Sequence, residues 1–330
     1  MTGVVHFHDQ ANVAKNLVRF GRDNELDWRR VPRYPAFHGP TFLDYPYSVG
    51  AELLARSWTT LKQGHLHVHG GHLTRLIERA ELPYILHLHG SEIRGFNQDG
   101  TLFDAITDPT KRAIEGASMS IFSTADLGRF VKIIRPDASW LPNPITPEVF
   151  EKARNKSIGA ASTFDIFWPH AWSDEKGFKQ LLSLLDKVRS DLGRPLKLLG
   201  VALGKNQTAA TQFGFFLLPV ASRKIFWEYN QMAKVTLGQA TGSIGVSDIE
   251  SMVLSNNFLL FPLEKDTKLA YESELNKTFD FDAKTMANQV IELLAGNSLS
   301  QEKNDAIINL HRLENVGRRL VKLYEYFDIR

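Results

Sequence analysis

The chain has 330 residues and no cysteine, and its 39 Lys and Arg against 37 Asp and Glu leave a net charge of +2. That balance gives no electrostatic case for a nucleic-acid partner, and the lack of thiols excludes disulfides, thiolate zinc sites, iron–sulfur clusters and cysteine nucleophiles. With 43% hydrophobic and 23% charged residues the composition is ordinary for a globular protein, and the length suits two domains. The opening MTGVVHFHDQ lacks the basic-then-apolar pattern of a secretory leader. No apolar run approaches the roughly 18 residues of a membrane span, so the expected location is cytoplasmic.

In chain order, Val4–His8 reads as a strand, and Val13, Leu17 and Phe20 give Asn12–Arg22 helical spacing. A polar, Pro- and Tyr-rich stretch from Asp27 to Pro46 is expected to be a long loop, followed by a helix over Ser48–Leu61. His65–His69 predicts a strand, Gly70-Gly71 a tight turn, Leu73–Glu81 a helix, and Tyr84–His89 and Met119–Ser123 two more strands. Pro142, Pro144 and Pro147 fall within six residues, a composition that suits a connection between domains because proline donates no ladder hydrogen bond. The alternation then restarts: strands over Asp165–Trp168, Leu196–Val201, Val235–Leu237 and Phe258–Phe261 interleave with helices over Phe178–Asp191, Trp227–Ala233 and Asp248–Ser255. Helices over Ala283–Leu294 and within Asn304–Tyr326 close the chain. Repeated strand–helix order predicts parallel βαβ units in doubly wound sheets.

Histidine is unevenly spread. Nine of the 11 lie in the first 89 residues, and three H-x-H pairs occur, His6/His8, His67/His69 and His87/His89. Residues i and i+2 of a strand share a face, so each pair could aim two imidazoles at one point. Two readings stand: ligands of a metal hydrolase site, or hydrogen-bonded histidines at strand ends. In His89-Gly90-Ser91-Glu92-Ile93-Arg94 a strand ends in histidine with polar groups behind it, and in open α/β sheets that edge carries the chemistry. In the second half, Lys176-Gly177 directly precedes a predicted helix, where a lysine point charge and oriented N–H groups suit a phosphate. Gly242-Ser243-Ile244-Gly245 lies between a predicted strand and helix, with the glycines to form an N–H nest. Ser247-x-x-Glu250 also has the form of a capping box, which would place Glu250 at a helix start without any ligand. Lys15, Arg19 and Arg22 recur along the first helix; the strip suits an anionic membrane surface, or is a solvated face interrupted by Asp23, Glu25 and Asp27.

Five segments in order carry a resemblance. His67-Val68-His69-Gly70-Gly71 with Leu82 to Glu92, Ser123-Thr124-Ala125-Asp126-Leu127, Trp140 to Ile145, Glu175-Lys176-Gly177, and Gly242 to Met252 resemble the signposts of retaining GT-B glycosyltransferases of the family-4 type. The resemblance implies a GT-B fold, two Rossmann-like doubly wound domains facing a central cleft. The expected domains are residues 1–155 on the acceptor side and 156–310 on the nucleotide-sugar side, with 311–330 as a helix returning to the first. It further implies transfer of a sugar from a nucleotide-diphosphate sugar, with retention, to a carbohydrate, lipid-linked or protein acceptor. Lys176, Gly177, Gly242, Ser243, Ile244, Gly245, Ser247 and Glu250 would hold the donor, Glu250 through the ribose hydroxyls. His89, Lys176 and Glu250 would be catalytic, His89 as hydrogen-bond donor or orienter at the reacting sugar, and Gly70, Gly71, Ser91, Glu92 and Arg94 would shape the acceptor side. No cofactor and no divalent metal are expected, since Lys176 and helix N-termini would stabilise the leaving diphosphate.

Two positions depart from the family pattern. Eight residues before Glu250, where the family carries its first glutamate, stands Gly242; five before Lys176, where it carries an arginine, stands Ala171. His170 beside it would be a partial substitute. These departures motivate an alternative, a catalytically silent GT-B protein that binds a partner enzyme or a glycan.

Overall fold

Short runs of β-branched and aromatic residues build two separate parallel sheets, seen in a computed structural model that describes residues 3–8, 12–31, 64–70, 83–90, 93–96, 102–104, 108–155, 162–275, 283–297 and 302–327. The chain divides into two units: residues 1–97, 101–144 and 311–330 form unit 1, and 98–100 with 145–310 form unit 2. The division after Pro144 falls inside the proline-rich stretch. The helix at Pro147–Arg154 therefore belongs to unit 2, not to an N-terminal domain ending at residue 155.

In unit 1, strands β1 (Val4–Phe7), β2 (Trp28–Val31), β3 (His65–His69), β4 (Tyr84–Leu88), β7 (Met119–Phe122) and β8 (Ser139–Trp140) form a sheet in the order β2-β1-β3-β4-β7-β8. Every pairing in it is parallel. β5 (Arg94–Phe96) and β6 (Leu102–Asp104) form an antiparallel pair of their own. Helices α1 (Val13–Asp23), α2 (Asp108–Gly116) and α3 (Gly128–Ile134) lie between strands in sequence, and the chain's last helix, α12 (Leu313–Tyr326), joins them. β1 and β4 are buried at every residue, as parallel strands covered on both faces must be. One face packs Val4, Ile85, Met119 and Ile121 against Val13, Leu17 and Phe20 of α1 and Leu313, Val316, Leu320 and Tyr324 of α12.

In unit 2, β9 (Phe164–Trp168), β10 (Leu198–Val201), β11 (Phe215–Leu218), β12 (Ala233–Leu237) and β13 (Phe258–Leu259) take the order β11-β10-β9-β12-β13, again all parallel. The helices are α4 (Pro147–Arg154), α5 (Phe178–Leu192), α6 (Gln207–Phe213), α7 (Arg223–Tyr229), α8 (Val246–Leu254), α9 (Lys265–Leu275), α10 (Ala283–Leu294) and α11 (Glu302–Leu310). α5 shows why the pattern reads as helix: Leu181, Leu185 and Val188 repeat at four- and three-residue steps and are all fully buried, against Met286, Val290 and Leu293 of α10. Each such side chain contributes roughly 1.5–3 kcal/mol by leaving water.

Several expectations are corrected. The loop expected from Asp27 contains β2, an edge strand whose Arg29 and Arg30 are exposed and whose Trp28 alone is buried, so it shows little apolar alternation. The helix expected over Trp227–Ala233 ends at Tyr229, where the buried Asn230 donates from Nδ2 to Phe226 O, and Ala233 already belongs to β12. The closing helix is broken between α11 and α12 at His311, which is buried and donates from Nδ1 to Asn143 O at 2.8 Å. The helices expected over Ser48–Leu61 and Leu73–Glu81 lie outside the described residues. Among the described residues no helix is long and apolar enough to cross a membrane.

The strand orders matter for function. β1 is flanked by β2 and β3, and β9 by β10 and β12, so successive connections leave in opposite directions at these points. Such reversals open a crevice at the C-terminal ends of the strands, where ligands of open α/β sheets bind.

Candidate functional site

At the reversal in unit 2, the segments after β9 and β12 are tied together. Residues Asp174–Lys176 form a single 3-10 turn, and Gly177 caps α5 in the left-handed region at φ +76°. A Cβ there would lie 2.7 Å from the carbonyl carbon of Ala240, too close for any other residue. Ala240 N–H donates to Lys176 O at 2.9 Å, and the Lys176 ammonium donates to Gln239 Oε1 at 2.8 Å. Gln239 Nε2 in turn donates to both the carbonyl and the hydroxyl oxygen of Ser243, each at 2.6 Å. Sequence reasoning missed Gln239; a glutamine just past a strand gives no signal, yet it holds the cation against the glycine loop.

α8 begins at Val246 with Gly245 as its cap, so Ser247 and Glu250 form no capping box, and the Asp248 carboxylate takes the Gly245 N–H instead. Asp248 Oδ2 accepts from Gly245 N–H at 2.8 Å, Oδ1 accepts from Gln239 N–H at 2.9 Å, and His170 Nε2 lies 3.1 Å from Oδ1. Burial alone would raise the Asp248 carboxyl; His170 and the two backbone donors hold it below the usual carboxylate range. His170 is buried, with Nδ1 3.3 Å from Ser247 Oγ, so it serves Asp248 and is not placed as a stand-in for the arginine missing at Ala171. With Gly245 N–H spent on Asp248, the N–H groups of Gly242, Ser243 and Ile244 have no backbone partner among the described residues.

Glu250 is almost fully buried on α8. Its Oε1 accepts from Arg223 Nε at 2.7 Å and also from Nη2, and its Oε2 accepts from Trp227 Nε1 at 3.2 Å. Two α7 residues thus orient the carboxylate. Gly242 has φ +78°, and a Cβ on it would stand 2.4 Å from Glu264 N and 2.6 Å from Pro262 O. The backbone itself forbids a side chain at the position of the family's first glutamate.

At the reversal in unit 1 His6, His67, His69, His87 and His89 come together. His6 is in register with His67, and His69 with His87, on the face that also bears Val4 and Ile85. The rings of His6, His67, His69 and His87 are fully buried, while His89 is partly exposed. His6 Nδ1 and His69 Nε2 lie 3.1 Å apart, His69 Nδ1 and His89 Nε2 3.0 Å, and His67 Nε2 and His87 Nδ1 3.2 Å. Ser123 Oγ is 2.9 Å from both His87 Nε2 and His89 Nδ1, and Tyr324 Oη is 2.5 Å from His67 Nδ1. Burial pushes His6 down to about 3, and burial with mutual repulsion keeps His67, His69 and His87 well below the ordinary imidazole value. These imidazoles are neutral.

Two triads, His6/His67/His69 and His69/His87/His89, bring three ring nitrogens within 4.8 Å of one another. A shared ion needs lone pairs that converge. In the first triad His67 and His69 are stacked at an interplanar angle of 5°, and nearly parallel rings offer no common point in both planes; in the second the rings are tilted by 19° to 35° from one another. The ring nitrogens other than His6 Nε2 lie at hydrogen-bond distance from one another, from Ser123 or from Tyr324. Gly70 turns the chain after β3 at φ +107° and Gly90 after β4 at φ +117°; Gly71, Ser91 and Glu92 lie outside the described residues, and of Arg94 only the backbone, in β5, is described. On α1, Asp23 lies 3.8 Å from Arg19 and 3.1 Å from Arg22, so the basic strip carries its own counter-charge.

No protein-family model and no curated protein matches the chain. Solved structures do. It is similar to an α,α-trehalose-phosphate synthase (UDP-forming) from Burkholderia vietnamiensis, at 12% identity and a TM-score of 0.64 over 99% of this chain and 100% of that one. It is similar to AviGT4, a glycosyltransferase involved in avilamycin A biosynthesis, at 15% identity and 0.60 over 98% and 97%. S. aureus TarM, in complex with fondaparinux, α-GlcNAc-glycerol and UDP, matches at 12% and 0.58 over 79% of this chain. The chain spans about half of TarM, 55% of its length. The fold is that of the GT-B glycosyltransferases, two Rossmann-like α/β domains.

Proposed function

We propose that the chain is a retaining glycosyltransferase of the family-4 type that moves a sugar, of the hexose class, from a nucleotide-diphosphate donor to a carbohydrate, lipid-linked or protein acceptor. The observation that carries this reading is the Lys176–Gln239–Ser243 bridge at the reversal between β9 and β12, which sets a cation beside a glycine loop in which the amides of Gly242, Ser243 and Ile244 have no backbone partner among the described residues. Lys176 and the amides of Gly242, Ser243 and Ile244 bind the diphosphate, with the N-terminus of α5 at Gly177 adding its dipole. Charge that develops on the leaving diphosphate meets donors already in place, which is electrostatic catalysis without a divalent metal. Glu250, oriented by Arg223 and Trp227, accepts from the ribose hydroxyls. In unit 1, Gly70, Gly71, Ser91, Glu92 and Arg94 shape the acceptor side. His89 orients the reacting sugar; with both ring nitrogens engaged, it donates only by opening one of those bonds.

The test is thermal unfolding with UDP, GDP and their sugar conjugates, with and without Mg²⁺. A nucleotide at a hundredfold excess over Kd should stabilise the protein by about 2.7 kcal/mol, independently of metal, and Lys176→Ala should lose most of that shift. No shift with any nucleotide refutes the donor site. A second reading, a silent GT-B partner or glycan-binding subunit, is favoured by Gly242, which admits no carboxylate, and by Ala171. Sugar transfer or donor hydrolysis by the purified chain would eliminate it.

A further inference from the structure

The contacts in unit 1 connect end to end: Tyr324 to His67, His67 to His87, His87 to Ser123, Ser123 to His89, His89 to His69, and His69 to His6. Every link that joins two imidazoles pairs an Nε2 with an Nδ1, and Ser123 meets one of each. A neutral imidazole has one donor and one acceptor. Three proton orders satisfy all the links, because the Ser123 hydroxyl can accept twice or accept once and donate once. In the first, every imidazole carries its proton on Nε2, the Tyr324 hydroxyl donates to His67 Nδ1, and Ser123 accepts from His87 and donates to His89. In the second, every proton sits on Nδ1 and Tyr324 accepts. In the third, His67 and His87 carry the proton on Nε2, His89, His69 and His6 carry it on Nδ1, and Ser123 accepts from both sides; any other order sets two N–H groups, or two lone pairs, face to face in a buried site.

The ends and Ser123 decide among the three. His6 Nε2 has no hydrogen-bond partner among the described residues, and His67 is the hydrogen-bond partner found there for the Tyr324 hydroxyl. The first order leaves one buried donor idle, His6 Nε2–H. The second leaves the Tyr324 O–H without an acceptor and a His6 lone pair without a donor. The third leaves the Ser123 O–H and a His6 lone pair idle. An idle buried hydroxyl is the costlier defect, so the first order prevails: Tyr324 selects it over the second, and Ser123 over the third.

We propose that these seven side chains form one proton-ordered chain, through which the Tyr324 hydroxyl on the last helix sets the tautomer of His89 at the sheet edge. Tyr324, His67, His87 and Ser123 are then positioning residues: they present His89 with its proton on Nε2 and its lone pair on Nδ1. That His89 faces a sugar rests on the transferase reading; the proton order does not. The array also explains why β1, β3 and β4 carry histidine where parallel strands normally carry aliphatic residues.

The test is a long-range ¹H–¹⁵N correlation spectrum of the full chain labelled with [¹⁵N]histidine, which separates N–H from bare ring nitrogens. In the native protein His6, His67, His69, His87 and His89 should each be neutral with the proton on Nε2. Tyr324→Phe leaves one idle donor and one idle lone pair in both the first and the second order, so all five imidazoles should show both tautomers. Ser123→Ala cuts the chain in the middle: His67 and His87 should keep Nε2–H while His89, His69 and His6 become mixed. A folded Tyr324→Phe protein in which His89 is unchanged overturns the proposal. So does a Ser123→Ala protein in which both halves respond alike, which decides the matter if Tyr324→Phe does not fold. Stoichiometric metal on these rings in protein purified without chelator also overturns it. Ordered tautomers in a chain that transfers no sugar would leave the proposal standing and defeat the transferase reading alone.

Discussion

Acid should unfold unit 1 well before unit 2. His6, His67, His69, His87 and His311 are all buried and lowered, His6 to about 3 and His311 to about 4, and all belong to unit 1. In the unfolded chain each returns to the ordinary value of about 6.5. Below that pH the unfolded state binds protons the folded state refuses, so stability falls with falling pH from about pH 7, with His311 and His6 themselves charging in the fold only near 4 and 3. Between about pH 7.5 and 5.5 each group costs about 1.4 kcal/mol. Five such groups cost about 7 kcal/mol, comparable to the whole stability of a typical domain. In unit 2 the lowered groups are Asp165 and Asp248, whose contributions are fully present above the ordinary carboxylate range and are lost only as pH falls through it. Hydrogen exchange followed by mass spectrometry, corrected for the intrinsic pH dependence of exchange, reads the two units separately. Peptides covering β1, β3 and β4 should lose protection over this range while those covering β9, β10 and β12 hold theirs. A loss in unit 1 below about 2 kcal/mol, little more than one group's share, would refute the description of these histidines as neutral and buried.

Further outcomes follow from the donor side. Glu250→Ala should destabilise unit 2 by about 2–3 kcal/mol, because it strands Arg223, whose side chain is only 25% exposed; Glu250→Gln, which keeps an acceptor for Trp227, should cost less in urea unfolding. Donor binding should therefore be compared in Glu250→Gln, where loss of affinity is separable from loss of fold. Gly242→Ala should cost at least about 2 kcal/mol, from the left-handed backbone and from contact with the Glu264 and Pro262 backbone, and Gly242→Glu should unfold unit 2 rather than create activity, as circular dichroism and urea titration would report.

What was legible in the sequence was local. The alternation of apolar strands with helices such as Phe178–Leu192 reads directly, because burial on one side imposes the period. β2 escaped because an edge strand with one buried residue has no period to show. The glycine loop and Lys176 stood out through residue type and a family resemblance. Their partners did not: Gln239 lies 63 residues from Lys176, and Arg223 lies 27 from Glu250. The helix cap lies two residues before Ser247: Ser247-x-x-Glu250 and Gly245-x-x-Asp248 share the same spacing, and only the backbone shows which residue begins α8. The H-x-H pairs were visible as pairs. What joins them is the sheet register that sets His6 beside His67 and His69 beside His87, together with Tyr324, 257 residues from its partner.

The glycine at 242 changes what the missing glutamate means. A substituted catalytic residue leaves a backbone that still accepts the old side chain, so that activity can be restored by reversion. Here the loop from β12 instead approaches the segment before α9 so closely that Glu264 N–H donates to Gly242 O at 3.0 Å, in the space where a Cβ would stand. The neighbouring carboxylates are already committed: Glu264 Oε1 accepts from Thr267 N and Oγ1 at 2.7 Å each, and Asp248 holds the cap of α8 and His170. A close backbone crossing occupies the position where the family that the sequence resembles carries a carboxylate. If this chain transfers sugar, the positions around the donor sugar must be filled by neutral donors and by Lys176 rather than by a carboxylate. Its donor selectivity should then depend less on a charged contact to sugar hydroxyls and more on the diphosphate. A panel of sugar conjugates of one nucleotide binding within a few-fold of the bare diphosphate would bear this out; a single conjugate preferred about a hundredfold, worth about 2.7 kcal/mol, would show that another group has taken the glutamate's place.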